Sequence, residues 1–178
     1  MNGHFVRVLP FVQKHFTSSY ISWLNDAEVV RFSEQRHQKH TNKTCRKYIK
    51  SFRNTKNQFL AIELKNNHHH IGNISILRNM KNGTADLGIL IGEKKEWGKG
   101  YGCEAFGLVL KVLLQDATIR KITAGAMSEN KGMINLACGC GMKIEAVIPK
   151  YFNWNGGEVD LVCMAKYNRS FRDRKDLS

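Results

Sequence analysis

Three glycines fall within five residues, at positions 98, 100 and 102 of the stretch EWGKGYGCEA. A glycine has no Cβ atom, so a ligand can approach its backbone closely, and it adopts positive φ at little cost. The apolar segment 104–114 that follows is typical of a helix. A loop of this kind before a helix presents free amides at the helix N-terminus, where phosphates bind. The stretch therefore predicts a site for a phosphate or pyrophosphate, although a tight turn without a ligand is the alternative.

Two common nucleotide loops do not match this stretch. The dinucleotide loop G-x-G-x-x-G would need a third glycine where the sequence has Cys103. The ATP-binding loop G-x-x-x-x-G-K-[ST] is excluded because the sequence contains no Gly-Lys-Ser or Gly-Lys-Thr. The ligand therefore belongs to another class of phosphate-bearing molecule.

Composition indicates an ordinary globular chain of 178 residues with a formal net charge of +13. No apolar stretch reaches the roughly 18 residues of a membrane helix, and the first residues lack the apolar core of a signal peptide. The five cysteines are odd in number and irregularly spaced, which argues against a disulfide framework. We expect a cytoplasmic protein without a membrane partner, either a monomer or a homodimer.

The positive charge is concentrated in one segment. From Arg31 to Lys56 there are nine Lys or Arg residues and one acid, Glu34. Such a run is either a solvated helix face or a positive surface that attracts an anionic partner. Phosphate-bearing small molecules and nucleic acids both satisfy the second interpretation.

Periodicity predicts one mixed α/β domain over residues 1–167, followed by a polar, basic and frayed tail over 168–178. We predict strands at 5–9, 59–64, 70–77, 85–91, 121–127, 144–152 and 159–167. Helices are predicted at 18–24, 41–52, 104–114 and 131–140, the first capped by Ser18 or Ser19. The helix after the glycine loop joins two strands, which should therefore be parallel neighbours.

The loop, with the residues around it, resembles the GNAT N-acetyltransferases, whose loop reads [Gln/Arg]-x-x-Gly-x-[Gly/Ala]. Gly100 and Gly102 occupy the two small positions, whereas Trp97 departs from the pattern. The branch it is similar to contains the ribosomal-protein alanine and amino-sugar acetyltransferases. Further matches are Trp23-Leu24-Asn25-Asp26, Ile71-Gly72, Glu129-Asn130 and Gly141-Met142, so the resemblance covers about residues 5 to 167.

The resemblance implies a single-domain fold. Its central sheet is mixed and mostly antiparallel, with about seven strands splayed between the fourth and fifth and flanked by about four helices. It also implies acetyl-CoA as the donor, with no metal. The implied cofactor-binding residues are Leu90, Ile91, Gly92, Lys95, Trp97, Gly98, Lys99, Gly100, Tyr101, Gly102 and Asn130.

Within that set, the resemblance implies distinct roles. The pyrophosphate would lie on the amides of residues 98–102, with Lys95 and Lys99 near the phosphates. The pantetheine arm would run beside the fourth strand and contact Asn130. A bulge in that strand would free the amide of Leu90 or Ile91 to polarise the thioester carbonyl.

The catalytic residues are less sharply indicated. An amine must lose a proton before it attacks, and Asp86, at the start of the fourth strand, is our candidate base. An exposed strand-end aspartate is the alternative reading, and Glu129 and Glu158 are weaker candidates. Many GNAT enzymes have a tyrosine that protonates the departing thiolate, and its position here is Ala137. The next residue, Cys138, is either a substitute acid or a small buried cysteine, and we expect the second. We therefore predict direct attack in a ternary complex, without a dedicated acid.

The resemblance also implies that the acceptor site lies among the first two helices and the last hairpin. Its candidate residues are Trp23, Asn25, Asp26, Arg36 and Trp154. The basic run lies on this side, which favours an amine carried on an anionic molecule such as a nucleotide-linked amino sugar. The alternatives are the N-terminus of a ribosomal protein, or a non-catalytic module that binds RNA or ribosomes.

Two other patterns are not interpreted as metal sites. Successive side chains in His68-His69-His70 point in different directions, so the three cannot easily share a metal ion. Cys138-x-Cys140 has no second pair at zinc-finger spacing, and we expect both cysteines in the core of a helix.

Overall fold

The computed structural model describes residues 1–169 and 171. Within these residues the helices are α1 Ser18–Asn25, α2 Asn42–Lys50, α3 Tyr101–Leu113 and α4 Lys131–Gly139. The strands are β1 Val6–Pro10, β2 Gln58–Leu64, β3 His70–Asn79, β4 Thr84–Ile91, β5 Lys121–Met127, β6 Lys143–Trp154 and β7 Gly157–Tyr167. Short 3₁₀ helices cover Gln13–His15, Glu34–His37 and Lys94–Glu96.

The seven strands form one sheet in the order β1-β2-β3-β4-β5-β7-β6. All neighbours are antiparallel except β4 and β5, which the helix α3 connects in parallel. These two strands pair only from Thr84–Asp86 to Lys121–Thr123, although both continue further. The sheet therefore opens into a V beyond Asp86, which confirms the predicted mixed sheet with a splay between its fourth and fifth strands.

Helices cover both faces of the sheet. Successive side chains of a strand point to opposite sides, so each face has its own apolar residues to bury. On one face α3 buries Phe106 and Leu110 in the main core, together with Leu87 of β4. On the other face α1 and α2 bury a smaller cluster that includes Tyr20 and Cys45. The functional surfaces must therefore lie at the opening of the V and in the grooves beside the smaller cluster.

The N-cap of α1 and the start of α3 differ from the sequence prediction. Thr17, and not Ser18 or Ser19, caps α1, because its Oγ1 accepts a hydrogen bond of 3.2 Å from the amide of Tyr20. The helix α3 begins at Tyr101, three residues before the predicted start, with Gly100 as its N-cap. The glycine loop thus runs directly into the helix.

The predicted tail begins with an ordered residue. Asn168 is only 7% exposed, and its side-chain amide donates to the carbonyls of Asp116 at 3.0 Å and Ile119 at 2.8 Å. The expectation of a frayed tail is therefore wrong at this position, because the side chain of Asn168 satisfies two backbone carbonyls by hydrogen bonding. Positions 170 and 172–178 lie outside the described residues. In the described part of the chain, no helix has the length and apolar character needed to span a bilayer.

Candidate active site

The three glycines of the loop have two different structural roles. Gly98 and Gly100 have φ of 75° and 83°, and a Cβ atom at either would meet no other atom within 4 Å. A Cβ at Gly102 would instead lie 3.2 Å from Leu136 and 3.4 Å from Ile91. The first two therefore keep an accessible, left-handed backbone, while the third lets α3 pack closely against α4 and β4.

The N-terminus of α3 is suited to an anion. Its first amides have no partner within the helix, and the helix dipole adds partial positive charge. The acid of the first turn, Glu104, is turned away, because its carboxylate accepts hydrogen bonds of 3.0 Å from the amides of Phe5 and Val6. Lys99, within the loop, forms an ion pair with Glu96 at 2.9 Å. These residues fit the pyrophosphate of CoA.

The edge of β4 that faces the V carries unpaired backbone groups. Its register with β3 is continuous from Gly72–Ile91 to Asn79–Thr84, so the bulge expected in β4 is wrong for this pairing. Gly92 donates to the carbonyl of Ile71 at 2.9 Å. Since antiparallel strands alternate the direction of their hydrogen bonds, the amide of Leu90 points to β3 and that of Ile91 points to the V. Divergence of the strands, and not a bulge, frees this edge.

Trp97 has a clear use on the same edge. Its indole Nε1 donates a hydrogen bond of 2.8 Å to the carbonyl of Ile91. This bond agrees with the orientation of Ile91 toward the V. The tryptophan that departs from the family's loop pattern therefore satisfies a backbone acceptor that β5 no longer reaches.

The V forms a donor cavity of about 530 Å³. Residues 87–91 of β4 line one wall, and Ala126 and Asn130 line the other. The Oδ1 atom of Asn130 caps α4 by accepting from the amide of Met133 at 3.1 Å. Only the Nδ2 group of Asn130 is therefore left to donate to a ligand. A narrow cleft between two strand edges suits an extended arm such as pantetheine.

The other predicted cofactor residues, in the glycine loop and at Gly92 and Lys95, do not line this cavity. Gly92 is buried under the ring of Trp23, which a Cβ atom would overlap. Lys95 is exposed in the 3₁₀ helix Lys94–Glu96. Tyr101 opens α3, and its ring packs 6.0 Å from that of Phe5. Gly92 is thus held by packing, whereas Lys95 is accessible to a ligand.

Asp86 lies where the V closes. Thr123 Oγ1 of β5 donates a hydrogen bond of 2.7 Å to its carboxylate. Although Asp86 is exposed at the surface, desolvation by the surrounding protein raises its pKa, and the bond from Thr123 acts in the opposite direction. The side chain of Asp86 points to the same face of β4 as a Cβ atom at Gly88 would, and Gly88 lies two residues, or about 7 Å, further along the strand. A carboxylate with a raised pKa is a better base near neutral pH.

The other acid–base candidates are placed less favourably. Glu129 is exposed at the rim of the donor cavity, and Glu158 pairs with Lys150 at 3.0 Å in the last hairpin. Ala137 is fully buried, but Cys138 is exposed, so the expectation of a buried Cys138 is wrong. The helix α4 turns Ala137 inward and its neighbour outward. Cys140 is half-buried, with its Sγ 3.6 Å from that of Cys103.

On the opposite face of β4, beside the first two helices where the acceptor site is expected, lies a second cavity of about 590 Å³, which we call the acceptor cavity. None of the residues predicted for the acceptor lines it. Its polar lining is mainly hydroxyl and amide groups, from Ser33, Gln35, Gln38, Thr44, Tyr48, Ser51, Asn73 and Ser75. Lys47 is its one lining lysine or arginine, and no Asp or Glu of the described chain lines it. Tyr48 of α2 is 42% exposed here.

The donor and acceptor cavities meet at β4. Gly88, Ile89 and Leu90 line both of them. A thioester in the V and an amine in the acceptor cavity would therefore approach each other across this short stretch. This geometry allows direct attack of one bound molecule on the other.

The predicted acceptor residues do not gather in the acceptor cavity. Asn25, Arg36 and Trp154 line a neighbouring cavity of about 960 Å³, which we call the basic cavity. Trp23 is buried, with 6% exposure, and Asp26 forms an ion pair with Lys94 at 2.8 Å. Of these residues, Trp23 and Asp26 line neither cavity. Their roles are to hold α1 against the end of β4.

Among the described residues, no group of three or more His, Cys, Asp or Glu side chains could hold a metal ion. His70 packs in the smaller cluster with its ring 5.1 Å from that of Trp23, and burial lowers its pKa to about 4. His68 lies in the preceding turn with φ of 61°.

Comparison with known proteins agrees with this geometry. Residues 6–143 match the family model described as an acetyltransferase (GNAT) domain. No curated protein matches the sequence. A GNAT-family acetyltransferase from Bacillus anthracis has a similar structure, with a TM-score of 0.80, 18% identity and coverage of 94% of this chain and 97% of that one.

Two further structures have named activities. Spermidine N-acetyltransferase from Vibrio cholerae, in complex with CoA and spermine, has a TM-score of 0.82 and 16% identity, with 93% of this chain and 96% of that one covered. Ribosomal-protein-S5-alanine acetyltransferase from Vibrio fischeri has a TM-score of 0.78 and 14% identity, with 97% and 98% covered. At these identities the likeness shows the fold.

The family match covers most of the chain, and the glycine loop and the splayed sheet are where the resemblance predicts them. The chain belongs to the GNAT family and is an acetyl-CoA-dependent N-acetyltransferase.

Proposed function

We propose that this enzyme acetylates the primary amine of an anionic, hydroxyl-rich small molecule, such as a nucleotide-linked amino sugar. The observation that carries the proposal is the acceptor cavity, which meets the donor cavity at residues 88–90 and is lined by hydroxyls, amides and Lys47. Sugar hydroxyls pair well with such groups. A lysine at the wall favours a negative charge on the acceptor.

Each bound partner has residues suited to it. Amides of residues 98–102 hold the pyrophosphate, and Asn130 donates to the pantetheine arm. Bound acetyl-CoA supplies an activated acetyl group on a thiolate leaving group. The amide of Ile91 donates to the thioester carbonyl, which is oxyanion-type stabilisation worth about 3 kcal/mol.

Asp86 acts as the base for the incoming ammonium. Because the carboxylate lies about two residues along β4 from Gly88, we infer that a water molecule relays the proton to it. The free amine then attacks the carbonyl directly and forms the C–N bond as the C–S bond breaks. The second proton of the nitrogen passes through water to the departing thiolate, so no dedicated acid is needed. The buried Ala137 offers no proton at the position of the usual tyrosine.

Polyamines, the substrates in the name of the Vibrio cholerae structure, suit this cavity poorly. A polyamine would place several cations beside Lys47 with no lining carboxylate in the described chain to balance them. A ribosomal protein, the acceptor in the name of the Vibrio fischeri structure, is the main rival, with its N-terminal amine as the group that would be acetylated here.

A thiol-release assay with acetyl-CoA separates these acceptors. We expect turnover with UDP-linked or dTDP-linked amino sugars, and much slower turnover with spermidine or N-terminal peptides of ribosomal proteins. Product analysis should place the acetyl group on the sugar nitrogen. Turnover confined to peptides or to spermidine would refute the proposed acceptor while leaving the transferase activity in place.

A further inference from the structure

The basic cavity is a built part of the molecule and not a loose surface groove. Its walls are the segment around the 3₁₀ helix Glu34–His37 and the end of the β6–β7 hairpin. Trp154 Nε1 donates to the carbonyl of Arg31 at 2.9 Å. Arg36 donates to the carbonyls of Ser33 at 2.9 Å and Asn153 at 3.3 Å. These bonds, two of them between the walls, fix the shape of the cavity.

The lining of this cavity combines positive charge with aromatic rings. Arg31, Arg36, His37 and Lys39 line it, and no Asp or Glu does so in the described chain. The ring centroids of Phe32 and Trp154 lie 5.3 Å apart, and the ring planes are tilted by 30°. Both rings are half-buried, so part of each is accessible from the cavity. Flat rings beside cations are suited to a nucleobase and its phosphates.

Two of these cations are available to a ligand. Arg36 already pairs with Glu34 at 2.9 Å, and its other bonds hold the walls. Arg31 and Lys39 are exposed and form no ion pair with any described residue. The guanidinium of Arg31 lies 4.9 Å from the centre of the Phe32 ring, which places positive charge next to the aromatic pair.

The basic cavity and the acceptor cavity are contiguous. Leu24, Gln35 and Gln38 line both. One molecule could therefore extend from the aromatic pair, past the cations, to the stretch of β4 where the two reactants meet. The change of lining along this path, from rings and cations to hydroxyls and amides, follows the order base, phosphates and sugar in a nucleotide sugar.

We propose that the basic cavity is the subsite for the nucleoside diphosphate of the acceptor. The base stacks on the accessible face of the Phe32–Trp154 pair, and Arg31 and Lys39 meet the two phosphates. The sugar that carries the amine then lies in the acceptor cavity. This inference rests on the proposed function. It adds a second site, whose contacts bind the acceptor at a distance from the reacting nitrogen.

The test is calorimetric titration of the whole enzyme, saturated with CoA so that the donor site is filled, with UDP, dTDP and ADP and with inorganic pyrophosphate and uridine. We expect at least one nucleoside diphosphate to bind more tightly than pyrophosphate and uridine, because both parts of the ligand are held. Lys39→Ala and Trp154→Ala should each weaken that binding by about tenfold. The matched controls Lys111→Ala, on α3, and Tyr151→Ala, on β6, should leave it unchanged.

Two results would overturn the subsite. One is the absence of binding for all three nucleotides at millimolar concentration, in enzyme that still binds acetyl-CoA. The other is a single-stranded RNA that binds more tightly than every nucleotide and depends on Lys39 in the same way. Neither result depends on turnover. Conversely, nucleotide binding without acetylation of any nucleotide-linked amino sugar would refute the proposed function and leave the subsite in place.

Discussion

The donor half and the acceptor half of the site are built from different kinds of atoms. On the donor side, the ligand-facing groups are mainly backbone amides, in the loop before α3 and on the open edge of β4. On the acceptor side they are mainly side chains from several separate segments of the chain. Backbone geometry tolerates little change, because glycine and positive φ are needed. Side-chain linings can change one residue at a time, so the acceptor can differ among enzymes that share one donor.

The largest effect should follow from disturbing the donor backbone. Gly100→Val places a branched side chain at φ of 83°, on the accessible face of the loop. We expect affinity for acetyl-CoA to fall by about a hundredfold or more, equivalent to about 3 kcal/mol. Isothermal titration measures this loss.

Backbone strain alone costs about 1 to 2 kcal/mol of stability, so the control must carry the same strain. Gly156→Val is suitable because Gly156 has φ of 76° and a Cβ there would meet no atom within 4 Å, but it lies in the last hairpin. It should keep full acetyl-CoA affinity. Equal losses in both variants would contradict the assignment of the loop.

The next effect concerns Asp86, the candidate base near the stretch of β4 where the two halves meet. Asp86→Asn should lower kcat by about a hundredfold, which is typical of a lost general base, with little change in acetyl-CoA affinity. In the wild type, activity should rise with pH through the raised pKa of Asp86, since the base must be unprotonated. This limb of the profile should disappear in the variant.

Thr123→Val sharpens the same test. The hydroxyl of Thr123 lowers the pKa of Asp86, so its removal should move the acidic limb to higher pH. Initial rates across a pH series measure the shift. An unchanged profile in both variants would remove Asp86 as the base.

A smaller effect is expected on the stability of the acceptor half. Glu63, 1% exposed, accepts bonds from Arg7, Lys14 and His15 beneath α1. Desolvation would raise its pKa, but these three bonds outweigh it and lower the pKa to about 2. The resulting stabilisation is complete above the ordinary value of 4.5 and is lost as pH falls toward about 2.

Glu63→Gln should therefore lower the free energy of unfolding by about 2 kcal/mol at neutral pH. Urea titrations should show this difference shrinking below pH 4.5, the ordinary pKa of the group. Glu158→Gln, which breaks an exposed pair with Lys150, should change stability little. A pH-independent difference for Glu63 would show that charge is not the cause.

The smallest effect concerns Trp97, the residue that departs from the loop pattern of the family. Trp97→Phe keeps an aromatic ring but removes the indole donor to Ile91. A hydrogen bond of this kind is worth about 1 kcal/mol, so the KM for acetyl-CoA should rise by about fivefold with kcat nearly unchanged. Steady-state kinetics at saturating acceptor give both values.

Sequence predicted the donor half better than the acceptor half for a physical reason. Glycine spacing and apolar periodicity are local signals. The loop, the parallel crossover and the order of elements could therefore be predicted from the sequence. The bulge in β4 was wrong because strand divergence, a tertiary property, frees the same edge.

The acceptor cavity had no local signal. Thr44 and Tyr48 reach it from α2, whereas Ser75 and Gly88 reach it from neighbouring strands. These polar residues lie on faces that periodicity assigns to a core or a solvated surface. Only the packing of α2 across the sheet brings them together, which is why the predicted residues Trp23 and Asp26 proved to line neither cavity.

The central claim is that the two halves bind their ligands together, with the reactants meeting at residues 88–90. Initial velocities measured while acetyl-CoA and a nucleotide-linked amino sugar are varied against each other test this most directly. Intersecting lines in double-reciprocal plots are predicted for direct attack in a ternary complex. Parallel lines, with an acetylated enzyme trapped in the absence of acceptor, would contradict it.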